Sequence, residues 1–494
     1  MIEPFGLRRN VITLTRELTI AGGGFDWEAL RKLLAEFDNL VSLSWHSWLE
    51  AIPASILDLL ESRFPKIKLH LQGLPIPIRQ ASPVVGINVD DFILFTGLDG
   101  CRSISSISAI LHSEHPVATR RWMDLAATCP NLEVLRLQVA SRQPFYLESE
   151  RGRLGQLYHL QTATQLPALR ELVFESNSQS TILLTIPRAI WNWDRIRHLE
   201  LRGRQMVSFI RSITGDIQHL NVLKIERFRH PFFCIDGDDH ELSPALTEFI
   251  LRLDALNELE VINPIAKLPT TVFRHLGTRL KVLSFHGLVH EHPQSGCRNR
   301  GTSKVFHLDS QDLHEVATFC PNVSSLTIDM LVFHDLPYDI LSSLAQFSKL
   351  EFLQLYVKTV NKDGTPNYLS RDVSLVTNLA RYLFAEKTDC GILKVQVMLG
   401  TYINPNERPD LEFSCYMTDT GMLIVEDNRH EVDAGLFRDY IYDGEDIDEW
   451  EAAMASADLE MAQMAENQDT RDDLESLFGS SSIYDEENQQ NDSI

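Results

Sequence analysis

The stretch CPNLEVLRLQ, residues 129–138, has a near-copy in CPNVSSLTIDM, which starts at Cys320. Both share one frame: an apolar residue, two free positions, an apolar residue, one free position and a third apolar residue. In an extended chain such spacing turns the last two apolar side chains to the same side. The same frame recurs in FDNLVSLSW from Phe37, LPALRELVFES from Leu166, WDRIRHLELRG from Trp193 and IQHLNVLKIERF from Ile217. LDALNELEVIN from Leu253, GTRLKVLSFHG from Gly277 and FSKLEFLQLYV from Phe347 complete the clear set. Weaker members are FPKIKLHLQG from Phe64, GCRSISSISAI from Gly100 and GILKVQVMLG from Gly391. So the decapeptide is one copy of a recurring unit.

The first apolar positions of these units, from Leu40 to Leu393, stand 24 to 43 residues apart. The shorter steps match leucine-rich repeats, and the longer ones leave room for a longer helix or a loop. Segments after the strands, such as SILDLLESRF (55–64) and DLHEVATFC (312–320), carry helical spacing. One strand and one helix cannot bury an apolar face alone, so neighbouring units must stack on a shared core. The predicted fold is an α/β leucine-rich repeat solenoid with irregular repeats. It is expected to be horseshoe-like, with a parallel sheet on the concave side and helices on the convex side.

Composition agrees with a folded chain: 44% of the 494 residues are hydrophobic and 9% are aromatic. The seven cysteines include no pair at two-residue spacing, which suits reduced thiols of a cytoplasmic or nuclear protein. The N-terminal MIEPFGLRRNVITLTREL breaks the apolar run that a signal peptide needs, and no stretch offers the roughly 18 apolar residues of a membrane span. The formal net charge of −24 is unevenly spread. Residues 441–494 hold 17 acids and one base, a charge of −16, whereas residues 1–440 hold 52 acids and 44 bases. The expected organisation is a repeat solenoid over 1–440 and an acidic, largely disordered tail over 441–494. A body near neutrality without a basic run gives no expectation of nucleic-acid binding, and the lack of a spanning stretch none of a membrane.

The irregular Cys/Leu-Pro-x-Leu-x-x-Leu-x-Leu strands, with NLVSLSWHSWLEAIPASILDLLESRFPKIKLHL (39–71), resemble the repeat region of fungal F-box and leucine-rich repeat proteins. The likeness covers residues 10 to 430. It implies that the repeats select a substrate for a multi-subunit ubiquitin ligase while an F-box docks the ligase adaptor. The chain departs from that pattern, because LTRELTI already reads as a strand by residue 20 and leaves no room for an F-box ahead of it. LPYDILSSL (336–344) resembles an F-box opening, yet it lies between two repeats and is expected to be a repeat helix.

Chemistry-bearing motifs are sparse. AGGGFD (21–26) lacks the lysine of a phosphate loop and is expected to be a turn, and no nucleophile elbow, His-Glu-x-x-His helix or Cys-x-x-Cys pair occurs. His290, His292 and Cys297 share an inserted stretch, and His112 and His115 another, but neither spacing makes a closed zinc set. FCIDGDDHEL groups Asp236, Asp238, Asp239 and Glu241 without the loop pattern of a calcium site, and reads as a solvated turn. No catalytic, cofactor or metal residue is therefore expected.

The candidate site is the concave face, formed by residues that alternate with the buried leucines. From the first half it takes Arg136, Gln138, Glu171, Val173, His198, Glu200, Arg202, Lys224 and Glu226. From the second it takes Glu258, Glu260, Ser284, His286, Phe352, Gln354 and Tyr356. Its mixed signs suit a protein or peptide partner. Glu200 is expected to be exposed, so that its removal leaves stability nearly unchanged. In the tail, DDLESLF places Leu474, Leu477 and Phe478 on one helical stripe, a second candidate contact. The competing expectation is a stand-alone scaffold whose acidic tail recruits another partner.

Overall fold

The computed structural model describes residues 14–21, 26–46, 52–74, 97–112, 116–140, 165–176, 191–203, 206–227, 239–264, 266–287, 308–332, 335–359, 373–386, 394–399, 411–418 and 422–427. The chain divides into two units, Met1–Arg429 and His430–Ile494, and every described residue belongs to the first. Its leucine frames become strands β1 (Glu17–Ala21), β2 (Ser42–His46), β3 (Lys68–Leu74), β4 (Ile104–His112) and β5 (Val134–Ala140). β6 (Glu171–Ser176), β7 (His198–Gly203), β8 (Val222–Arg227), β9 (Glu258–Ile262) and β10 (Val282–His286) follow. β11 (Ser325–Val332), β12 (Phe352–Thr359), β13 (Lys394–Leu399), β14 (Leu411–Met417) and β15 (Leu423–Asp427) finish the series. All belong to one 15-stranded sheet in chain order, and β1 to β13 run parallel. The protein is an α/β leucine-rich repeat solenoid built on an unclosed sheet.

Nine α-helices are described: α1 (Trp27–Glu36), α2 (Ala54–Arg63), α3 (Pro116–Thr128), α4 (Met206–Ile213), α5 (Asp239–Ile250), α6 (Thr270–Leu276), α7 (Ser310–Phe319), α8 (Tyr338–Ala345) and α9 (Val373–Glu386). Their buried residues, such as Leu34, Ile56, Phe249, Leu313 and Leu341, join the same core as the strand leucines. The helices therefore lie on the leucine face, and among the described residues the opposite face carries none. LPYDILSSL forms α8, a repeat helix between β11 and β12, as its place in the frame predicts. AGGGFD ends in Asp26, whose carboxylate accepts from the amides of Glu28 and Ala29 and caps α1.

Parallel register is continuous. Leu135 of β5 lies beside Ile107 and Leu172, and Leu199 of β7 beside Leu172 and Leu223, so like positions stack in rows. Entry to β2 and to each of β6 to β12 is tied by a repeated device. The Glu133 carbonyl accepts from the amides of Arg170 (2.7 Å) and Glu171 (3.0 Å), and the Arg170 carbonyl from Arg197 (2.9 Å) and His198 (3.1 Å). The same pairing continues through Arg197, Asn221, Asn257, Lys281 and Ser324. A carbonyl has two lone pairs, so one acceptor can hold two successive amides of the next repeat.

The CPN copies add a second tie. Asn131 donates through Nδ2 to the Arg102 carbonyl at 2.8 Å, and Asn322 to the Thr278 carbonyl at 2.7 Å, each reaching into the preceding repeat. Cys129 and Cys320 are fully buried just before them, and burial pushes both thiols up to about 12. These are packing thiols, not reactive ones. Asn322→Ala should lower the unfolding free energy by about 1–2 kcal/mol, because it removes both the bond to the Thr278 carbonyl and the bond that Asn322 Oδ1 accepts from Lys349 Nζ at 2.6 Å, at a partly solvated site. A urea titration would show this as a lower midpoint with an unchanged slope.

At the C-terminal end the pattern changes. β13 pairs antiparallel with β14, and β14 antiparallel with β15. GILKVQVMLG (391–400) thus supplies β13 and GMLIVED (421–427) supplies β15 of a meander whose middle strand buries Phe413 and Cys415 in the shared core.

Candidate functional site

Residues that alternate with the leucines point to the helix-free face, and register brings them into three rows. The first holds Glu171, His198, Glu258 and Phe352; the second Arg136, Val173, Glu200, Lys224, Glu260, Ser284 and Gln354; the third Gln138, Arg202, Glu226, His286 and Tyr356. Strands stand about 4.8 Å apart, so neighbours within a row are in reach of one another.

Between β5 and β9 these side chains form an ion-pair lattice. Arg136 lies 2.7 Å from Glu171, and Gln138 donates to Glu175 at 3.0 Å. The Arg202 guanidinium is shared by Glu200 on its own strand, by Glu226 at 3.5 Å and by Glu175 at 3.9 Å. Lys224 spans Glu258 (3.4 Å) and Glu260 (2.9 Å) on the next strand. His198 stands between Glu171 and Glu200, at 3.7 and 3.8 Å.

Burial alone would lower Arg202 and Lys224. The surrounding glutamates more than offset it and hold both cations above their ordinary values. The carboxyls show the converse. Burial raises Glu175 and Glu226, and the neighbouring glutamates add to the rise while Arg202 only partly opposes it. A carboxyl whose folded pKa exceeds its unfolded value contributes stability below the unfolded value and loses it as pH rises through the folded one. Ionised Glu175 and Glu226 therefore destabilise the native state at neutral pH, and Glu175→Gln or Glu226→Gln is expected to leave the urea midpoint at pH 7 no lower than that of the parent.

Beyond β9 the face changes character. In the second row Ser284, Thr327 and Gln354 replace the charges, with Thr327 donating to Gln354 at 3.2 Å. The His286 ring stacks on Tyr356, centroids 4.5 Å apart and planes within 8°. Burial pushes the His286 imidazole down to about 4, with Glu260 opposing, and pushes the Tyr356 hydroxyl up to about 12. Both are neutral near pH 7.

Three residues expected on an open surface prove buried: Glu200 at 8% exposure, Ser284 at 8% and His286 at 6%. The physical reason is lateral crowding. A side chain on a parallel sheet is flanked from both adjoining strands, and Glu200 is further enclosed by His198 and Arg202 of its own strand. The expectation that losing Glu200 is neutral must be revised. Glu200→Ala should cost about 1–2 kcal/mol, since it removes a charge-assisted bond from Arg202 at a partly desolvated site. Chemical denaturation of the variant at low and high salt measures it, and only part of the loss should be screened away.

Sequence reasoning missed Glu175, Thr327 and Asp329, which share this face. The signal was available, because period-two counting from Glu171 reaches Glu175 and the same count along SSLTIDM reaches Thr327 and Asp329. Of the acidic group in FCIDGDDHEL, Asp239 begins α5 and Glu241 pairs with Arg211 at 2.6 Å, so that end is helical, not a turn. Asp236, Asp238, His115, His290, His292, Cys297, Leu474, Leu477 and Phe478 lie outside the described residues, and His112 is described only as the last residue of β4. Among the described residues no cluster of histidine, cysteine and acids has metal-binding geometry, and no helix is long and apolar enough to cross a membrane.

No protein-family model matches this chain, and no curated protein is similar to it. Among solved structures it is similar to the leucine-rich repeat-containing protein LegL7 from Legionella pneumophila, at 13% identity and a TM-score of 0.31, over 76% of this chain and all of that one. A Bacteroides fragilis protein is similar at 9% identity and a TM-score of 0.23, over 78% of this chain and 75% of its own.

Proposed function

We propose that this chain is a non-catalytic recognition module that holds a protein or peptide partner on the helix-free face of its sheet. The observation that carries the reading is the register. It aligns polar and charged residues of consecutive parallel strands into rows on a face that no described helix covers. Such a surface is pre-organised, since every side chain stands on a strand fixed by neighbours on both sides, and ordering costs little on binding.

A photo-reactive amino acid at Arg136 or Gln354 should cross-link a partner from cell extract, whereas the same group at Glu248 or Asn378, exposed on α5 and α9, should not. Cross-links formed from the helices alone would overturn the reading.

The resemblance of the repeats to F-box and leucine-rich repeat proteins supports a finer role, substrate selection for a ubiquitin ligase in the cytoplasm or nucleus. Recovery of a ligase adaptor among the cross-linked or captured proteins is the outcome that role requires. The acidity of residues 441–494 supports treating them as a separate tail, with Leu474, Leu477 and Phe478 as a helical stripe for a second partner, which makes a scaffold the alternative role.

A further inference from the structure

The rows on the helix-free face are not electrically uniform. On β6 to β9 six carboxylates, Glu171, Glu175, Glu200, Glu226, Glu258 and Glu260, face three cations, Arg136, Arg202 and Lys224, of which Arg136 comes from neighbouring β5. On either side the second row is neutral, with Ser44 and Ser108 before this zone and Ser284, Thr327 and Gln354 after it. Along the parallel strands the charges of the second row are thus confined to the middle of the sheet, and across the three rows of β6 to β9 they are unbalanced.

The cations are already committed. Arg202 is within ion-pair distance of three glutamates, Lys224 of two and Arg136 of one, so an incoming anion would have to displace a carboxylate from each. An incoming cation meets the opposite situation. It would add a favourable charge beside carboxylates that burial and mutual repulsion hold partly short of compensation.

Resting on the recognition reading above, we propose that the middle of the helix-free face, across β6 to β9, receives a lysine- or arginine-bearing segment of a protein partner. An extended segment advances about 3.3 Å per residue, so alternate side chains fall about 6.6 Å apart. Cationic residues two or three positions apart would then reach the glutamates around Arg202 and those around Lys224 together.

The test uses the full chain and a fluorescent decapeptide of alternating lysine and glycine, followed by anisotropy at low ionic strength. A glutamate–glycine decapeptide is the reference. Because residues 441–494 are also acidic, two charge-matched variants are compared: Glu226→Gln with Glu258→Gln on the sheet, and Asp472→Asn with Asp473→Asn in the tail. The sheet variant should bind the lysine peptide about tenfold more weakly, the scale of losing a close charge pair or two, and the tail variant less than about twofold. Binding should also fall steeply as salt is added.

Equal binding by the sheet variant and the parent chain, an equal loss in the tail variant, or equal affinity for the glutamate peptide would overturn the proposal. Should the sheet variant fail to fold, a photo-reactive lysine peptide cross-linked to the parent chain decides the matter, because adducts on β6 to β9 support it and adducts confined to 441–494 refute it. Cross-links from Arg136 or Gln354 to a partner, without binding of the lysine peptide, would leave the recognition reading standing and remove only the basic partner. Loss of both would remove the surface itself.

Discussion

Leu199→Asp is expected to abolish cooperative unfolding of the repeat array. Leu199 is fully buried at the centre of β7, with Leu172 and Leu223 beside it in the adjoining strands. An aspartate there would stand between two leucines of its row, so the native state must either bury an unpaired charge or break the row. The cost is on the order of 5 kcal/mol, as large as the whole stability of many domains. In a solenoid each repeat is supported only by its neighbours, so damage at β7 removes two interfaces together. Circular dichroism during a urea titration should show a lost or strongly shifted transition, while Arg195→Asp, on the exposed turn just before β7, stays within about 0.5 kcal/mol of the parent. A soluble Leu199→Asp variant that melts as the parent does would refute the assigned leucine frame.

Phe249→Ala is expected to cost about 3–5 kcal/mol through lost burial and the cavity left behind. Phe249 is fully buried on α5 and belongs to the same core as the strand leucines. One residue earlier, Glu248 is exposed and makes only a surface pair with Arg252, one turn on, at 3.1 Å. Glu248→Ala should therefore change stability by less than about 0.5 kcal/mol. The adjacent pair fixes the rotational phase of the helix, because Phe249 lies within the buried stripe with Ala245, Leu246 and Ile250 while Glu248 stands outside it. Similar losses at both positions would mean that α5 is packed differently.

These two variants interrogate the two layers separately. One places a charge in the strand rows and the other removes volume from the helix layer, so a shared core predicts large effects from both. The open face responds differently, because its groups interact through charge and hydrogen bonds that salt partly screens.

Much of the architecture was legible in the residues. Leucines at fixed spacing name the buried side of each strand without any knowledge of neighbours, because alternation is a property of an extended backbone alone. For the same reason Arg136, Glu171, Lys224 and Glu260 could be assigned to the opposite side. SILDLLESRF and DLHEVATFC likewise declare helices by their own apolar spacing, and they form α2 and α7.

Other features depend on what lies next door. GILKVQVMLG reads as one more parallel repeat, and so it pairs with β12, but nothing within GMLIVED reveals that β15 closes the sheet antiparallel. Strand direction is a relation between segments, set by which edge is free when the chain returns. Burial of Glu200, Ser284 and His286 is equally relational. An outward position on a strand is open or enclosed according to the side chains of the two strands beside it, and the Tyr356 ring that covers His286 comes from two strands away.

The repeat frame, the buried leucine rows and the identity of the outward residues were determined by the sequence by itself, since alternation and stacking need only local spacing and the cost of exposing apolar surface. Only the tertiary structure decided the antiparallel end, the sharing of Arg202 and Lys224 among glutamates of different strands, and the concentration of unbalanced carboxylates on β6 to β9. Those depend on distances across the sheet, and a linear chain does not carry them until its strands are in register.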